Sequence, residues 1–537
     1  SVRVELRTNT ELQGALGAFA ARGPNGTPVI YLNADYAKSA TSEAIQAVLI
    51  EEIGHAFDAR LNQGSDSPGD EGHAFASLLL TGDANLNAVL GDNDHQVLQI
   101  DGQPVAVEEA APYGIAQVHF VPLPENDLQT AQKAIAGASA VSGNENTVIA
   151  ITATAENTII VYDHWEDGYE ADITNPVQSS TQIWGDGNLA NGTAPGTADD
   201  LIHAGQTIVL QNPVNPASPL TLDYDGRDKI ASTQAVSVVR AGWSATPGTV
   251  LAGAVSVIDA GNAGTDYVVP IGQDVDTVAT GTNRLFEYTS LHIIATQDGT
   301  TVNIDTNGDG TFELQNIALN QGETYFVNGG VMAGAHVTAN KGVGVYAVAG
   351  DVGSAYENRW FALTPTEQWA SSYYAPVSTT LAADPSYVIL YNPNATAIDV
   401  YYDTATTSGT KVTVAANTGS TTGTNYVLMP ASAAHFYTRD GSKFYAVGVI
   451  DADATSNATH DWSYSLVPES YLTTKFVVGW GPGYDMNTAG TYLDGSPVWV
   501  AATDDTTIYI DHGASMQVKD AAGNIVTGSA VTGSATG

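Results

Sequence analysis

The chain has 537 residues, of which 58 are acidic and 17 are basic, so its formal net charge is -41. A field of that sign repels nucleic acid and anionic membranes and attracts divalent cations, which excludes nucleic-acid binding. The sequence contains no long apolar run that predicts a membrane span, and its lack of cysteine excludes disulfides and cysteine-ligated zinc.

The first hundred residues predict a small helical unit. From Ser42 onward, apolar residues recur at steps of three and four, and a second helical stretch follows Pro68. We therefore assign residues 1–110 to an α-rich domain that precedes a mainly β chain. The residues expected to face its core from the first helix are Ile45, Val48, Leu49, Ile53, Phe57 and Leu61.

The first predicted helix carries the motif Glu51-Glu52-Ile-Gly-His55, and Glu71 follows at the head of the second helix. In zinc peptidases with a helical His-Glu-x-x-His motif, the two histidines bind zinc and the glutamate is the general base. Here His55, Glu52 and Glu71 match one ligand, the base and a third ligand, while Glu51 replaces the first histidine. Because a carboxylate weakens the Lewis acidity of the metal, zinc binding is favoured over peptide hydrolysis, and Glu52 is catalytic only if the site is active. The alternative is a solvated or hydrogen-bonded cluster on the helix surface, without metal, in which Glu51, Glu52 and Asp58 flank His55.

This segment resembles a domain of large exported proteins of cyanobacteria and other bacteria. The shared motifs are an Ile-Tyr-Leu-Asn strand at 30–33, Glu-Glu-Ile-Gly-His at 51–55 and Pro-Gly-Asp-Glu-Gly at 68–72. In that group Glu commonly stands where the first zinc-binding histidine would be. The resemblance implies a degenerate zincin-like domain over about the first hundred residues.

After a strand and a connecting helix at 111–140, the chain repeats itself. Residues 153–163, 295–305 and 501–511 share one pattern, a polar turn that leads into a strand, and 393–403 is a looser copy. Two segments that end in proline, 267–270 and 374–376, are expected to close units. We predict tandem β-sandwiches or blade-like lobes at 141–285, 286–385 and 386–487, and the start of a fourth unit with a Gly/Ser/Thr tail at 488–537.

A calcium-binding loop is predicted in the second β unit. Asp305, Asn307 and Asp309 occupy positions one, three and five of a loop with Gly310 at position six, which is the spacing of an EF-type calcium loop. Position twelve is Asn316, so Glu313 is the candidate for the remaining ligand. The alternative is an Asx-rich hairpin turn without an ion.

The first β unit contains a dense group of acidic and aromatic residues. Asp163, Trp165, Glu166 and Asp167 are nearly consecutive, and Trp184 and the segment 223–228 follow later. Acids that flank aromatic rings are candidates for binding calcium or a sugar. The alternative is a turn network in which Arg227 neutralises buried acids.

The β units resemble the N-terminal region of IgGFc-binding proteins. The similarity lies in 264–270, 291–302 and 321–325, and the pattern extends over about 141–485. It implies a β scaffold with an extracellular adhesive or matrix role and carries over no catalytic residue.

These features predict an extracellular or cell-surface structural or adhesive protein that calcium stabilises. We expect self-association into a filament, sheath or surface layer, or binding to other surface proteins and glycans. One alternative is a secreted metallopeptidase that uses the site at 51–71. Another is a glycan- or protein-binding module centred on Trp165 and Trp184.

Overall fold

The computed structural model describes residues 2–8, 11–12, 15–34, 36–39, 42–62, 71–81, 95–110, 114–244, 252–275, 285–354, 358–376, 386–417, 424–428, 432–450, 462–478, 500–504, 506–509 and 530–533. Among the described residues, more lie in β-strands than in helices, which confirms the prediction of a mainly β chain.

The N-terminal unit combines a sheet with helices. Its elements are β1 (Arg3–Arg7), β2 (Gly17–Ala20), β3 (Val29–Asn33), α1 (Tyr36–Ser39), α2 (Ser42–Leu61), α3 (Glu71–Thr81), β4 (His95–Ile100) and β5 (Gln103–Ala110). The strands form one sheet in the order β1-β3-β2-β5-β4, in which β1 and β3 are parallel and the other neighbours antiparallel. The predicted α-rich character of 1–110 is therefore corrected to a mixed α and β unit.

Helix α2 lies on the sheet with a different face from the one expected. Val48 is buried, but Ile53 is 41% exposed, Phe57 51% and Leu61 77%. The buried positions are instead Glu52 and His55, because this is the side of α2 that packs against β2, β5 and α3. The apolar period correctly located the helix but not the face that it buries.

The first β-sandwich begins with β6, and the connecting helix α4 lies between β6 and β7. Its two four-stranded sheets have the orders β10-β7-β12-β13 and β6-β11-β8-β9. The bounds are β6 (Gln117–Phe120), α4 (Glu125–Ala136), β7 (Glu145–Ala153), β8 (Ile160–Asp163), β9 (Gln182–Trp184), β10 (Thr207–Val214), β11 (Lys229–Ser232), β12 (Val236–Ser244) and β13 (Ala252–Ser256).

The second sandwich is a seven-stranded sheet folded over by one long strand. The first half of β19 pairs with β14 and β16, and its second half pairs with β15 and β20, so the two halves belong to opposite layers. The bounds are β14 (Gly264–Val268), β15 (Tyr288–Ala295), β16 (Thr300–Asp305), β17 (Leu314–Leu319), β18 (Thr324–Val327), β19 (His336–Gly350) and β20 (Arg359–Ala362).

The third sandwich again has two separate sheets, in the orders β25-β22-β27-β28 and β21-β26-β23-β24. Beyond it, β29 and β30 pair antiparallel, and most of the predicted fourth unit lies outside the described residues. The bounds are β21 (Ser372–Ala375), β22 (Tyr387–Tyr391), β23 (Ile398–Thr404), β24 (Thr410–Val414), β25 (Thr424–Leu428), β26 (Ala434–Thr438), β27 (Tyr445–Val449), β28 (Ser463–Ser465), β29 (Thr506–Tyr509) and β30 (Ala530–Gly533).

All three sandwiches share one topology. The opening strands are β6, β14 and β21. The strand that follows each of them pairs with β12, the second half of β19 and β27, respectively. The next strand pairs with β11, the first half of β19 and β26. The repeated turn-and-strand segments occupy equivalent places, since they lead into β8, β16 and β23. The segments around Tyr267 and Tyr373 do not close units as expected: β14 and β21 pair with strands of the following sandwich and open it.

Neighbouring sandwiches share buried cores. In β22, Tyr387, Ile389 and Tyr391 belong to the core of the second sandwich, whereas the alternating Val388 and Leu390 belong to that of the third. Because successive strand residues point to opposite faces, this sheet is buried on both sides. At the other junction, α4 and β13 share a cluster with residues of the second sandwich, among them Tyr346 and Trp360.

Candidate functional site

The motif on α2 lies in a buried position between helices and sheet. Glu52 and His55 are fully buried, and His55 Nδ1 lies 3.3 Å from Glu108 Oε2 of β5. Two glycines make room for them: a Cβ at Gly17 would meet Glu52 Oε1 at 2.5 Å, and one at Gly72 would meet His55 Nε2 at 2.2 Å. Burial of Glu52 and His55 excludes a solvated cluster, whereas the hydrogen-bonded form of the alternative is compatible with the contact between His55 and Glu108.

The predicted zinc set of Glu51, His55 and Glu71 is not assembled by what the structure describes. Glu71 begins α3, but its side chain lies outside the described residues, as does the Pro68–Asp70 part of the second motif. Among the described side chains, two groups of three converge closely enough to hold an ion, and neither includes Glu51, Glu52 or His55. Zinc binding at this motif stays a prediction.

The predicted calcium loop connects β16 to β17. The carboxylates of Asp305, Asp309 and Glu313 place one oxygen each within 4.8 Å of one another, so Glu313 occupies the place expected of it. The loop also closes on itself. Asp305 accepts hydrogen bonds from the backbone N–H groups of Asn307 at 3.2 Å, Gly308 at 2.7 Å and Gly310 at 2.7 Å, while the Asn307 amide donates to Glu313 at 2.8 Å. These bonds form the Asx-rich turn that was the alternative, and a calcium ion would compete with them.

The same role recurs at the equivalent place in each sandwich. Asp163 Oδ2 accepts a hydrogen bond from the Glu170 N–H at 2.9 Å, and Asp403 Oδ1 accepts one from the Gly409 N–H at 2.5 Å. Asp163 and Asp305 are the last residues of β8 and β16, and Asp403 is the last but one of β23; each closes the loop that follows its strand. Asp163 is thus explained as a loop-closing residue.

A second convergent group lies at one end of the first sandwich. His164, Glu166 and Asp228 each offer one ligand atom, and these atoms lie within 4.8 Å of one another. His164 follows β8 and Asp228 precedes β11, so pairing of these two strands brings together residues far apart in the sequence. The predicted group included the segment 223–228, but it singled out neither His164 nor Asp228, because nothing local in the sequence shows that these two residues are neighbours.

Hydrogen bonds hold parts of this group in place. Asp228 Oδ2 accepts from the Tyr162 hydroxyl at 2.6 Å and from the Asp225 N–H at 3.1 Å. His164 Nδ1 lies 2.9 Å from the Asp223 carbonyl and 3.5 Å from Asp228 Oδ2. Glu166 Oε1 accepts from the Asp223 N–H at 2.9 Å, whereas its Oε2 is shielded from solvent and has no hydrogen-bond partner.

The electrostatics of the group are those of crowded, buried acids. Burial and the neighbouring charge of Asp228 raise the pKa of Glu166 to about 7. Burial also raises the pKa of Asp228 and of Asp225 above the ordinary value. For His164, burial lowers the pKa, but the hydrogen bond and the charge of Asp228 outweigh it, so the net shift is upward.

The aromatic residues predicted to bind a glycan do not present open ring faces. Trp184 is fully buried in the core of the first sandwich, which corrects its assignment to a binding surface. The ring of Trp165 is covered by the guanidinium of Arg227 at 3.9 Å, and its Nε1–H donates to Asp225 at 2.9 Å. Asp167 is exposed beside them. Arg227 therefore stacks on an indole rather than neutralising the acids through a direct ion pair.

Among the described residues, no helix is both long and apolar enough to span a membrane. A comparison with models of protein families matches residues 254–488 to the model described as IgGFc binding protein. Searches of curated proteins and of solved structures find no match. The matched range contains the second and third sandwiches, so the predicted resemblance of the β units is confirmed there. For 141–253 and for the zincin-like domain at 1–110, the predicted resemblances stay predictions. The second and third sandwiches are thus similar to the IgGFc binding protein family.

Proposed function

We propose that this chain is an extracellular structural or adhesive protein whose sandwiches form one stiff segment that presents loops for binding. The observation that carries the proposal is the sharing of buried cores between successive sandwiches. Flexible chains of domains expose linkers with few contacts across them, whereas here a whole sheet is buried between two cores. The similarity to IgGFc binding protein and the mainly β scaffold are compatible with an extracellular binding role.

Side-chain hydrogen bonds reinforce the shared core between the second and third sandwiches. Arg359 of β20 is fully buried, and its Nη1 donates to the carbonyls of Ile450 at 2.9 Å and Trp462 at 3.0 Å. Trp369 stacks on Tyr445 with ring centroids 4.9 Å apart and an interplanar angle of 11°. A buried guanidinium with carbonyl partners fixes orientation as well as contact, because its donors are rigid.

Self-association is the second part of the proposal. The large negative charge repels copies of the chain from one another, and bound calcium would reduce that repulsion. The loop of Asp305, Asp309 and Glu313 is the calcium site that we propose, since its carboxylates converge at the surface. Partners at the cell surface, whether proteins or glycans, would bind through the loops at the ends of the sandwiches.

The test is electron microscopy and analytical sedimentation of the whole chain in calcium and after addition of a chelator. We expect elongated particles that associate in calcium and disperse in the chelator. The variant Asp309→Asn with Glu313→Gln should lose this response, while Asp199→Asn, which removes an exposed acid elsewhere, should retain it. A chain that stays monomeric in both conditions, and that binds neither surface proteins nor glycans when immobilised, contradicts the proposal.

A secreted metallopeptidase is the second candidate function. It is favoured by the burial of Glu52 and His55 in space that Gly17 and Gly72 provide, because neither glycine has a side chain to fill it. A peptidase assay with added zinc should then show turnover by the wild type that Glu52→Gln abolishes. Equal activity of the two proteins would sink this alternative.

A further inference from the structure

One end of the first sandwich holds a group of possible metal ligands that contains one imidazole and two carboxyl groups. Among the ion pairs that the structure describes, none neutralises both carboxyl groups. His164 is 3% exposed, Asp228 is fully buried, and Glu166 is half-buried, with one ligand atom of each within 4.8 Å of the others. The backbone N–H groups of Asp225 and Asp223 donate to Asp228 and Glu166, so two further acidic residues lie next to the group. Removing so many carboxylates from water is costly unless a positive charge accompanies them.

A nearby buried acid shows how the fold compensates such a charge elsewhere. Glu125 is matched by Arg240, whose Nη2 lies 2.6 Å from its Oε1. The cations beside Asp228 are used differently: Arg227 stacks on Trp165 and donates to the Gly322 carbonyl at 3.2 Å, and Lys229 donates to Gln321 at 3.3 Å. Both of these side chains reach the second sandwich.

A second observation indicates a ligand. Glu166 Oε2 is shielded from solvent and has no hydrogen-bond partner, although its other oxygen is held by the Asp223 N–H. Buried polar atoms in folded proteins almost always have a partner, so an atom without one is a place where an ion or a water is expected. A carboxylate oxygen accepts but does not donate, so an ion bound there is a cation and not an anion.

We propose that His164, Glu166 and Asp228 bind one divalent metal ion of the transition series, with zinc as the best fit. One imidazole nitrogen and two carboxylate oxygens suit zinc, which takes mixed nitrogen and oxygen ligands, whereas calcium prefers oxygen alone. The hydrogen bonds from Tyr162 and the Asp225 N–H to Asp228 would orient that ligand.

The position of the site gives the ion a structural task. Arg227 and Lys229, on either side of Asp228, both contact the β17–β18 turn of the second sandwich, and Tyr169 packs against Gly322 in the same turn. An ion that fixes Asp228 would hold these contacts and brace the junction between the first and second sandwiches. This task, though not the binding itself, rests on the proposed stiff segment.

Equilibrium dialysis of the whole chain against zinc, followed by competition with a chromogenic zinc chelator, tests the site. The chain has no cysteine that could bind zinc adventitiously. We expect one zinc ion per wild-type chain and an affinity at least about 10-fold lower in Glu166→Gln, because loss of a ligand should cost no less than the roughly 10- to 100-fold loss that follows removal of a partner behind a ligand. Asp167→Asn, which alters the exposed acid next in the sequence, should bind like the wild type.

The competing zinc motif is controlled by Glu52→Gln. Binding that survives in Glu166→Gln and is lost in Glu52→Gln would place the ion on α2 and overturn the proposal, as would the absence of stoichiometric zinc. Ring proton resonances of His164, assigned by comparison with His164→Asn, should shift when zinc is added; unshifted resonances in a zinc-loaded chain would also overturn it. Failure of zinc binding leaves the stiff segment untouched, because that segment is measured separately through distances between sandwiches.

Discussion

The two junctions between sandwiches are built differently. The second and third sandwiches meet through a sheet that is buried on both faces, so their junction is mostly apolar. The first and second meet around α4, and polar loop contacts from Arg227, Lys229 and Tyr169 lie beside the apolar cluster. The comparison teaches that sandwiches of one topology can be joined in two ways. One junction is fixed by apolar packing, and a bound ion could strengthen the other. The predictions below test this contrast.

The largest effect is expected at the apolar junction. Ile389→Ala removes a buried side chain that points to the second sandwich, and Leu390→Ala removes one that points to the core of the third. Each should lower the free energy of unfolding by about 2–5 kcal/mol, measured by chemical denaturation. The two differ in a second readout, because only Ile389→Ala should separate the unfolding of the second and third sandwiches into two transitions. Identical unfolding curves for the two variants would contradict the shared core.

A smaller effect is expected from a substitution that crowds the junction between the first and second sandwiches. Gly253 of β13 lies under the indole of Trp360, and a Cβ there would come within 2.3 Å of the ring. Gly253→Ala should therefore destabilise the chain by about 1–3 kcal/mol, since a rigid buried ring cannot move aside cheaply. Thermal unfolding measures it, with the exposed Ser256→Ala on the same strand as the control. An unchanged melting temperature for Gly253→Ala would show that the two sandwiches are not packed as described.

Loop closure should contribute less than either junction. Asp305→Asn weakens an acceptor of three backbone hydrogen bonds and should cost about 1–2 kcal/mol. Asp309→Asn, at the exposed tip of the same loop, should change stability much less. Denaturation in a chelator isolates this structural role from any effect of calcium. Equal losses in the two variants would contradict the assignment of Asp305 as the loop-closing residue.

The smallest effect is a pH dependence in the first sandwich. Burial, with smaller contributions from its neighbours, raises the pKa of Glu145 to about 7, from an ordinary value of 4.5. Between these values the folded chain binds the extra proton, so this contribution to stability is present below about pH 4.5 and is lost as the pH rises through 7. Glu145→Gln cannot titrate, so it should unfold at a higher temperature than the wild type at pH 8 but not at pH 4.5. A constant difference between the two proteins at both pH values would contradict the shifted pKa.

The sequence predicted the scaffold better than the sites. The repeated turn-and-strand segments correctly located β8, β16 and β23, because local turn chemistry and strand period are encoded within a few residues. The tyrosine-containing segments were assigned to the wrong units, since β14 and β21 pair across a connection that no local pattern records. The same limit concealed the proximity of Asp228 to His164, which depends on the pairing of β8 with β11.

The prediction of the buried face of α2 was wrong for a different reason. The spacing of apolar residues along α2 predicted their burial, yet Phe57 and Leu61 are exposed and His55 is buried. Which side of a helix packs inward depends on what the sheet offers it, and Gly17 of β2 leaves room for Glu52. Close approaches of this kind are tertiary facts that a helical period does not contain.

The central claim, that the three sandwiches form one stiff segment, is tested most directly by electron–electron distance measurements. The chain has no cysteine, so paired cysteines at the exposed positions Gln211, Ala318 and Thr406 place one spin label on each sandwich without background labelling. We predict narrow, single-peaked distances for the 211–318 and 318–406 pairs, and broadening of the 318–406 distance alone in Ile389→Ala. Broad distributions for both pairs in the wild-type chain would contradict the account.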